Sequence, residues 1–419
     1  MKRPVICIVG GGMVGCVLAG LLGRDTRYPG SIILIEAGMP PEPGNSYDLR
    51  VVALSAASQR ILDATGAWET IAETRISPYR EMQVWDAESK PGFPGSIRFS
   101  SAEVGEATLG HIVENQLIRQ SLWRQLDKMD NVIIRPDCRV KELDIGDDKA
   151  SLVLENGDLV ESTLVVAADG AGSPLRGMAG IETTGWSYQQ KAVVTHVHSE
   201  LPHCETAWQR FLPTGPLAFL PLADGRSSIV WSTTVDEADR LLKLDEGNFL
   251  AELEAASDGV LGKLSACAKR AAFPLRLLHA QSYCLQRLAL IGDAAHAIHP
   301  LAGQGANLGF MDAAALHETL INALLADEDP GDRLVLRRYE RWRKGDNMMM
   351  LAAMDGIKRL FSNNDRALGR VRSLGLSLVN ALPPARKALV RRAMGMTGVL
   401  PELLAKGRPA DSPMRGEVR

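Results

Sequence analysis

The residues in this chain best suited to chemistry are a set of glycines and well-spaced acids, with no nucleophile or metal cluster among them. Val5–Val9, "VICIV", is a short apolar, β-branched run, and Gly10-Gly11-Gly12-Met13-Val14-Gly15 follows it as a GxGxxG. Such a run suits a buried parallel strand. "MVGCVLAGLL" then has the pattern of a helix, and "SIILIE" that of a second strand ending in Glu36. In this setting each glycine has its own task. Gly10 makes the tight turn, Gly12 lets the main chain approach a pyrophosphate, and Gly15 lets the helix pack close to the strand. The helix start offers N–H groups and a positive dipole end to the phosphates. An acid about twenty residues beyond the glycines accepts hydrogen bonds from a ribose, so Glu36 favours NAD or FAD over NADP at this site.

Two later apolar runs also end in an aspartate: "STLVVAADGAGSPLR" (Ser162–Arg176) and "RLALIGDAAHAIHP" (Arg287–Pro300). A dehydrogenase with one Rossmann unit has no need of them, whereas FAD is long and draws contacts from separate segments. Asp293, at the carboxyl end of a parallel strand, would face the ligand crevice and meet a ribityl hydroxyl. Its alternative role is an N-cap on the next helix. Asp169 precedes a glycine, so its alternative is a turn aspartate. Gly303 to Asn307 would open a helix. The N–H groups of Gly303, Gln304, Gly305 and Asn307 would then face the negative edge of a reduced flavin. Nothing nearby is an obvious general base. His296 and His299 are near by sequence, with capping or packing as the alternative, and His299 and Pro300 are the nearest catalytic candidates.

The elements that must hold these residues fit an α/β chain of ordinary globular composition. Its 419 residues are 46% hydrophobic and 23% charged, with a net charge of -3, so no basic field points to nucleic acid. The six scattered cysteines form no CxxC pair, which fits a reducing compartment without structural zinc. The N-terminal "MKRPVICIVGGGMVGCVLAGLLG" is long and uncharged enough to raise a leader or membrane reading, but its consecutive glycines suit a strand–turn–helix. "KAVVTHVH", "AWQRFLP", "LAFLPL" and "SSIVWSTT" are successive strands of an inserted antiparallel sheet. Phe211, Leu217, Phe219, Leu220 and Trp231 would give it an apolar substrate chamber or simply its core. His196 and His198 would share a strand face there, too few for a metal. Beyond Asp312 the chain is helical, with basic residues (Arg366, Arg370, Arg372, Arg386, Lys387, Arg391, Arg392, Lys406, Arg408) suited to an anionic membrane, a partner or plain solvent.

On these blocks, and on "DLRVVALSAASQRILDATGAW" (Asp48–Trp68) and "LGHIVENQLIRQSLW" (Leu109–Trp123), the chain resembles the class A FAD-dependent aromatic hydroxylases. Within them it resembles the ubiquinone-biosynthesis hydroxylase family. The alanine-serine block and "GDAAHAIHPLAGQGANLGFMD" are its most specific parts. The resemblance implies a Rossmann-like FAD-binding domain of the para-hydroxybenzoate hydroxylase type, an inserted antiparallel substrate sheet and C-terminal helices. Its segments would be FAD-binding 1–75, 111–182 and 283–345, substrate-binding 76–110 and 183–282, and helical 346–419. It further implies that Gly10, Gly12, Gly15 and Glu36 hold the adenosine diphosphate and Arg50 lies near the pyrophosphate. Asn115 or Gln116 would touch the flavin from a helix. Asp169 and Arg176 would serve FAD and NAD(P)H, and Asp293 the ribityl chain. Pro300 and Gly303-Gln304-Gly305 would lie beside the isoalloxazine ring. The implied reaction adds one oxygen atom from O2 to a polyprenylated phenol, with NAD(P)H as donor. The implied setting is the cytoplasm, with peripheral contact at the inner face of the membrane and with a ubiquinone-biosynthesis complex. Three other readings stay open: a hydroxylase of a soluble aromatic acid with Arg210 as carboxylate anchor, a flavin-dependent isoprenoid reductase, and an FAD-stabilised assembly subunit.

Overall fold

The computed structural model describes residues 3–39, 47–298, 304–361, 375 and 377–405. The expected strand–turn–helix at the N-terminus forms as Val5–Val9 followed by the helix Met13–Arg24. No helix among the described residues is long and apolar enough to cross a membrane. Val5–Val9 pairs in parallel with Ser31–Ile35 on one side and Leu164–Ala167 on the other. Leu164–Ala167 pairs in parallel with Leu288–Leu290. The strands that lead to Glu36, Asp169 and Asp293 therefore share one six-stranded sheet and end on the same edge. Their near-continuous apolar sequence follows from burial on both faces. The helices Met13–Arg24 and Gln304–Leu325 join the largest core there, with Leu18, Leu22, Phe310 and Leu316 fully buried.

The expected antiparallel strands are Thr183–Ser199, Thr206–Leu212, Gly215–Pro221 and Ser227–Thr234, within a nine-stranded sheet. Glu81–Asp86 joins its far side in parallel with Thr206–Leu212, and Ser96–Ser100 pairs with Glu81–Asp86. Side chains alternate across this sheet, and the alternation divides the apolar residues. Leu217, Phe219 and Trp231 point to the helices Val235–Lys243 and Glu246–Ser257 and form a core with Leu241, Phe249 and Leu253. Phe211 stacks on Phe361 with ring centroids 4.2 Å apart. Of the five expected chamber residues, Leu220 lines the cavity described below and the other four do not. His196 is 1% exposed, whereas His198, near the end of its strand, is open to solvent. Among the described residues no group of acids, cysteines and histidines could hold a metal.

A third, three-stranded sheet of Val51–Ser55, Gly110–Glu114 and Ser77–Tyr79 stands between the two large ones. The helix Arg333–Phe361 runs unbroken through position 345, where a domain limit was expected. The helix Pro383–Ala393 packs against Tyr79, Met82 and Leu109 through Val390 and the adjoining Met394, and the short helix Glu402–Ala405 follows.

Candidate active site

The glycine turn has the geometry its spacing predicts. Gly10 has φ +113°, and a Cβ there would lie 2.3 Å from the Ala168 carbonyl oxygen. A Cβ on Gly15 would lie 2.0 Å from the Gly10 carbonyl oxygen, so helix and strand touch through their main chains. A Cβ on Gly12 would meet nothing within 4 Å, so that side of the turn is open. The Glu36 carboxylate lies across the turn, accepting from the Gly11 N–H at 2.5 Å and from the Gly38 N–H at 3.2 Å. Trp123 braces the turn by donating from Nε1 to the Gly11 carbonyl at 3.0 Å.

Asp169 and Asp293 end neighbouring strands but differ in their bonding. Asp169 Oδ2 accepts from the Leu175 N–H at 3.1 Å, the turn role held open above, while its buried Oδ1 has no partner. Burial raises its carboxyl above the usual range. Arg176 joins the two aspartate turns, donating to the Ala294 carbonyl at 2.8 Å and the Ala171 carbonyl at 3.0 Å. Asp293 sits in the single 3-10 turn Gly292–Ala294, and the next helix opens later, at Gln304. Its carboxylate has no hydrogen bond among the described residues, so it is not an N-cap. It is open to solvent, although much of the protein packs around it. That enclosure raises its carboxyl, against the opposing pull of His296, Arg50 and Arg276.

Asn115 opens the helix Asn115–Leu126, and its N–H donates to the Arg50 carbonyl at 2.9 Å. Its Oδ1 is buried without a partner, while Gln116 beside it is half-buried. Arg50 is exposed, with its guanidinium 5.3 Å from the Phe273 ring. Asn307 does something its sequence position did not reveal. Its Oδ1 accepts from the Ser55 N–H at 3.0 Å and the Ser58 hydroxyl at 2.7 Å, and its Nδ2 donates to the Ala53 carbonyl at 2.9 Å. The side chain thus clamps the helix start to the alanine-serine block, leaving the main chain of Gln304 and Gly305 at the helix opening. His299, Pro300 and Gly303 lie outside the described residues.

Sequence reasoning missed what lies beneath the cleft at the Asp169 and Asp293 strand ends. Asp312, fully buried, accepts from Arg343 Nε at 2.9 Å, Asn347 Nδ2 at 3.0 Å and the Gly292 N–H at 3.2 Å, and bonds His296 Nε2 at 2.5 Å. Burial works against its charge, but His296 and Arg343 outweigh that and hold its carboxyl down at about 2. His296 is therefore a structural support, 1% exposed, and not a proton carrier facing the cleft. The available signal was an aspartate within the apolar run Leu308–Leu316, which needs a buried partner.

Between the small sheet and the large one lies a cavity with about 730 Å³ of empty space, part of it open to solvent. Val51, Ala53, Tyr79, Ile112, Ala218 and Leu220 are among its walls, and none of its lining residues is charged. Its polar atoms come from Tyr79, Gln209, Ser232 and Trp208. Arg210 lies elsewhere, bonded to the Ala256 carbonyl at 3.0 Å and the Ala87 carbonyl at 2.7 Å. The soluble-acid reading thereby loses its anchor. Ala53 belongs both to this cavity and to the Asn307 clamp, so the chamber adjoins the helix opening beside the cleft.

The residues present fit FAD. An open glycine turn, an unbonded carboxylate at Asp293, and orphaned oxygens on Asn115 and Asp169 come from separate segments, as an extended dinucleotide requires. Buried polar atoms without partners carry a cost in folded proteins, and these ones lie at the strand and helix ends where an extended ligand would complete the bonding. Comparison with known proteins agrees. The family profile described as FAD binding domain matches residues 2–349. The 3-demethoxyubiquinol 3-hydroxylase of Escherichia coli is 37% identical, covering 93% of this chain and 98% of its own. The ubiquinone hydroxylase UbiL of Rhodospirillum rubrum is 37% identical over 96% of this chain and 92% of its own. The zebrafish (Danio rerio) ubiquinone biosynthesis monooxygenase COQ6 is 36% identical over 92% and 88%. In fold, the chain resembles p-nitrophenol 4-monooxygenase PnpA from Pseudomonas putida, with TM-score 0.75, 19% identity, and coverage of 95% and 99%. The chain belongs to the FAD-dependent monooxygenase family of the ubiquinone-biosynthesis hydroxylases.

Proposed function

We propose that this enzyme hydroxylates the ring of a polyprenylated phenol in ubiquinone biosynthesis, taking one oxygen atom from O2 and electrons from NAD(P)H. The observation that carries this substrate class is the uncharged lining of the chamber. A neutral phenol with an apolar tail suits it, each buried CH2 contributing ~0.8 kcal/mol. An aromatic carboxylate would be desolvated there without a cation. Bound FAD supplies the redox and oxygen chemistry. This chain's residues bind it, orient the ring and exclude water. Tyr79 is half-buried in the chamber wall, and burial pushes its hydroxyl up to about 12, so it stays protonated and can orient a substrate oxygen without acting as a base.

We also propose that the helix Pro383–Ala393 contacts an anionic membrane surface. Lys387, Leu389 and Arg391 are exposed on it, while Arg386 turns inward to pair with Glu103 at 2.8 Å. Its buried side packs on Tyr79 and Met82, two residues of the chamber wall, which would bring a lipid-borne substrate to the cavity. Co-sedimentation with vesicles tests this. Binding should require anionic lipid and weaken in K387E/R391E, and equal binding to neutral vesicles would overturn it.

Mass-spectrometric profiling of quinones in a deletion strain tests the function. A prenylated ring intermediate lacking one hydroxyl should accumulate. An unchanged ubiquinone pool, with no second hydroxylase present, would overturn the proposal. Turnover without oxygen consumption would favour an isoprenoid reductase.

A further inference from the structure

The wall of the cofactor cleft formed by the helix Asn115–Leu126 carries more than the residue at its start. Asn115, Arg119 and Trp123 are spaced four apart and so share one face of that helix. Asn115 presents an orphaned Oδ1 and Trp123 bonds the Gly11 carbonyl, so the face looks onto the glycine turn. Arg119 stands between them. Its Nε is buried, and its guanidinium makes no hydrogen bond or ion pair among the described residues.

The surroundings of Cys16 locate the guanidinium more closely. The Cys16 thiol lies 3.4 Å from the Gly11 carbonyl, in the first turns of the helix that follows the glycines. Burial dominates that thiol and pushes it up, but Arg119 pulls it down while Glu36 pushes it further up. Glu36 reaches the glycine turn directly, and Arg119 lies within electrostatic range of the helix that follows it, one as an anion and one as a cation. Yet they do not pair, because Glu36 is held by the Gly11 and Gly38 N–H groups.

Other buried arginines here are satisfied. Arg176 binds two carbonyls, Arg343 binds Asp312 and Asn347, and Arg287 binds Asp329 and the Asp147 and Thr163 carbonyls. A partly desolvated guanidinium with a free fork is an anion site, and its planar donors match phosphate oxygens. We propose that Arg119 binds the pyrophosphate of FAD. Arg50 approaches from the strand side and Arg119 from the helix side, so two cations would meet the two negative charges of the pyrophosphate. The inference rests on FAD binding alone and is independent of which phenol is hydroxylated.

The test is binding to the apoprotein, followed by quenching of FAD fluorescence. R119A should weaken FAD about 10- to 100-fold, as expected for charge-assisted hydrogen bonds. R119K should recover part of the loss and R119Q little of it. ADP, competing for the same site, should weaken in parallel with FAD, whereas adenosine should be unaffected. The salt dependence of FAD affinity should also become shallower in R119A, because one phosphate-neutralising charge is gone. FAD affinity within twofold of the parent in folded R119A would overturn the proposal. So would an equal loss for adenosine and ADP, which would move the contact to the nucleoside. If R119A does not fold, R119Q against R119K decides: equal affinity in the two removes the role of charge.

Discussion

The cofactor cleft and the substrate chamber adjoin at Ala53 but are built on opposite rules. The cleft gathers ionisable and polar groups, several without partners: Asp293, Asp169 Oδ1, Asn115 Oδ1 and Arg119 Nε. The chamber has no charged residue in its lining. A region that holds one rigid, polar ligand can fix each contact, and every unmet bond costs the empty protein stability. A region that admits a greasy, variable ligand does better with shape and dryness, and water kept out of it protects oxygen transfer. The contrast predicts that single polar changes in the cleft act on folding or FAD affinity, while changes in the chamber act on substrate.

The largest effect should come from beneath the cleft. D312N removes the fully buried anion that bonds Arg343, which is 2% exposed and keeps only the more exposed Asp346 at 3.3 Å, and His296, which is 1% exposed. Breaking a buried ion pair by removing one partner costs roughly 3–5 kcal/mol. Denaturant unfolding of D312N should show a loss of that order, together with weaker FAD retention because Gly292 is released. A loss below about 1 kcal/mol would mean that the network adds little.

Next in size is D293N, which keeps the shape of the carboxylate that lies unbonded and open to solvent. If Asp293 serves the ribityl chain, FAD affinity should fall by about 10- to 100-fold through loss of charged hydrogen bonds. Stability of the apoprotein should hold, since the carboxylate is open to solvent and bonds no protein group among the described residues. Unchanged FAD affinity would return Asp293 to a purely local role.

The same contrast governs what could be foreseen. The cleft was legible because its parts are short-range: glycine spacing follows from turn geometry, and an aspartate after an apolar strand marks a strand end. The Asp312 network was not, since Arg343 and Asn347 come from a helix joined only in three dimensions. In the sheet, the two-residue period separates Leu217, Phe219 and Trp231 from Ala218 and Leu220, but does not say which set meets the ligand. The helices Val235–Lys243 and Glu246–Ser257 decide that by covering the face with the larger side chains. Arg119 was invisible because a lone charge on an amphipathic helix has the pattern of a solvated residue. Its missing partner appears only once the glycine turn is placed opposite.

In the chamber, L220D should leave flavin binding intact and raise KM for the prenylated phenol by about tenfold or more, because an ionised side chain must be desolvated against the substrate. FAD content and KM measured on one preparation separate the two regions. Loss of FAD in L220D would show that chamber and cleft are not independent.

The effect confined to acid conditions is a division of acid sensitivity between the sheet and the Asp312 network. Burial, with Arg226 nearby, pushes the His196 imidazole down to about 4, and burial with Lys344 and His296 nearby does the same for His279. A histidine depressed in the folded state stays neutral there while the unfolded chain takes up a proton below about 6.5. Its share of stability is therefore complete above that pH and declines toward pH 4, by at most about 1.4 kcal/mol per pH unit for each residue. Asp312 works in a lower window. Its carboxyl is held at about 2, so its share is complete above the unfolded value near 4 and declines only as the pH falls toward 2. Stability followed by urea unfolding across this range should show two successive slopes. H196Q/H279Q should flatten the upper slope and spare the lower. If the double variant keeps the upper slope, the acid sensitivity belongs to other groups, and the sheet carries no buried neutral histidines of consequence.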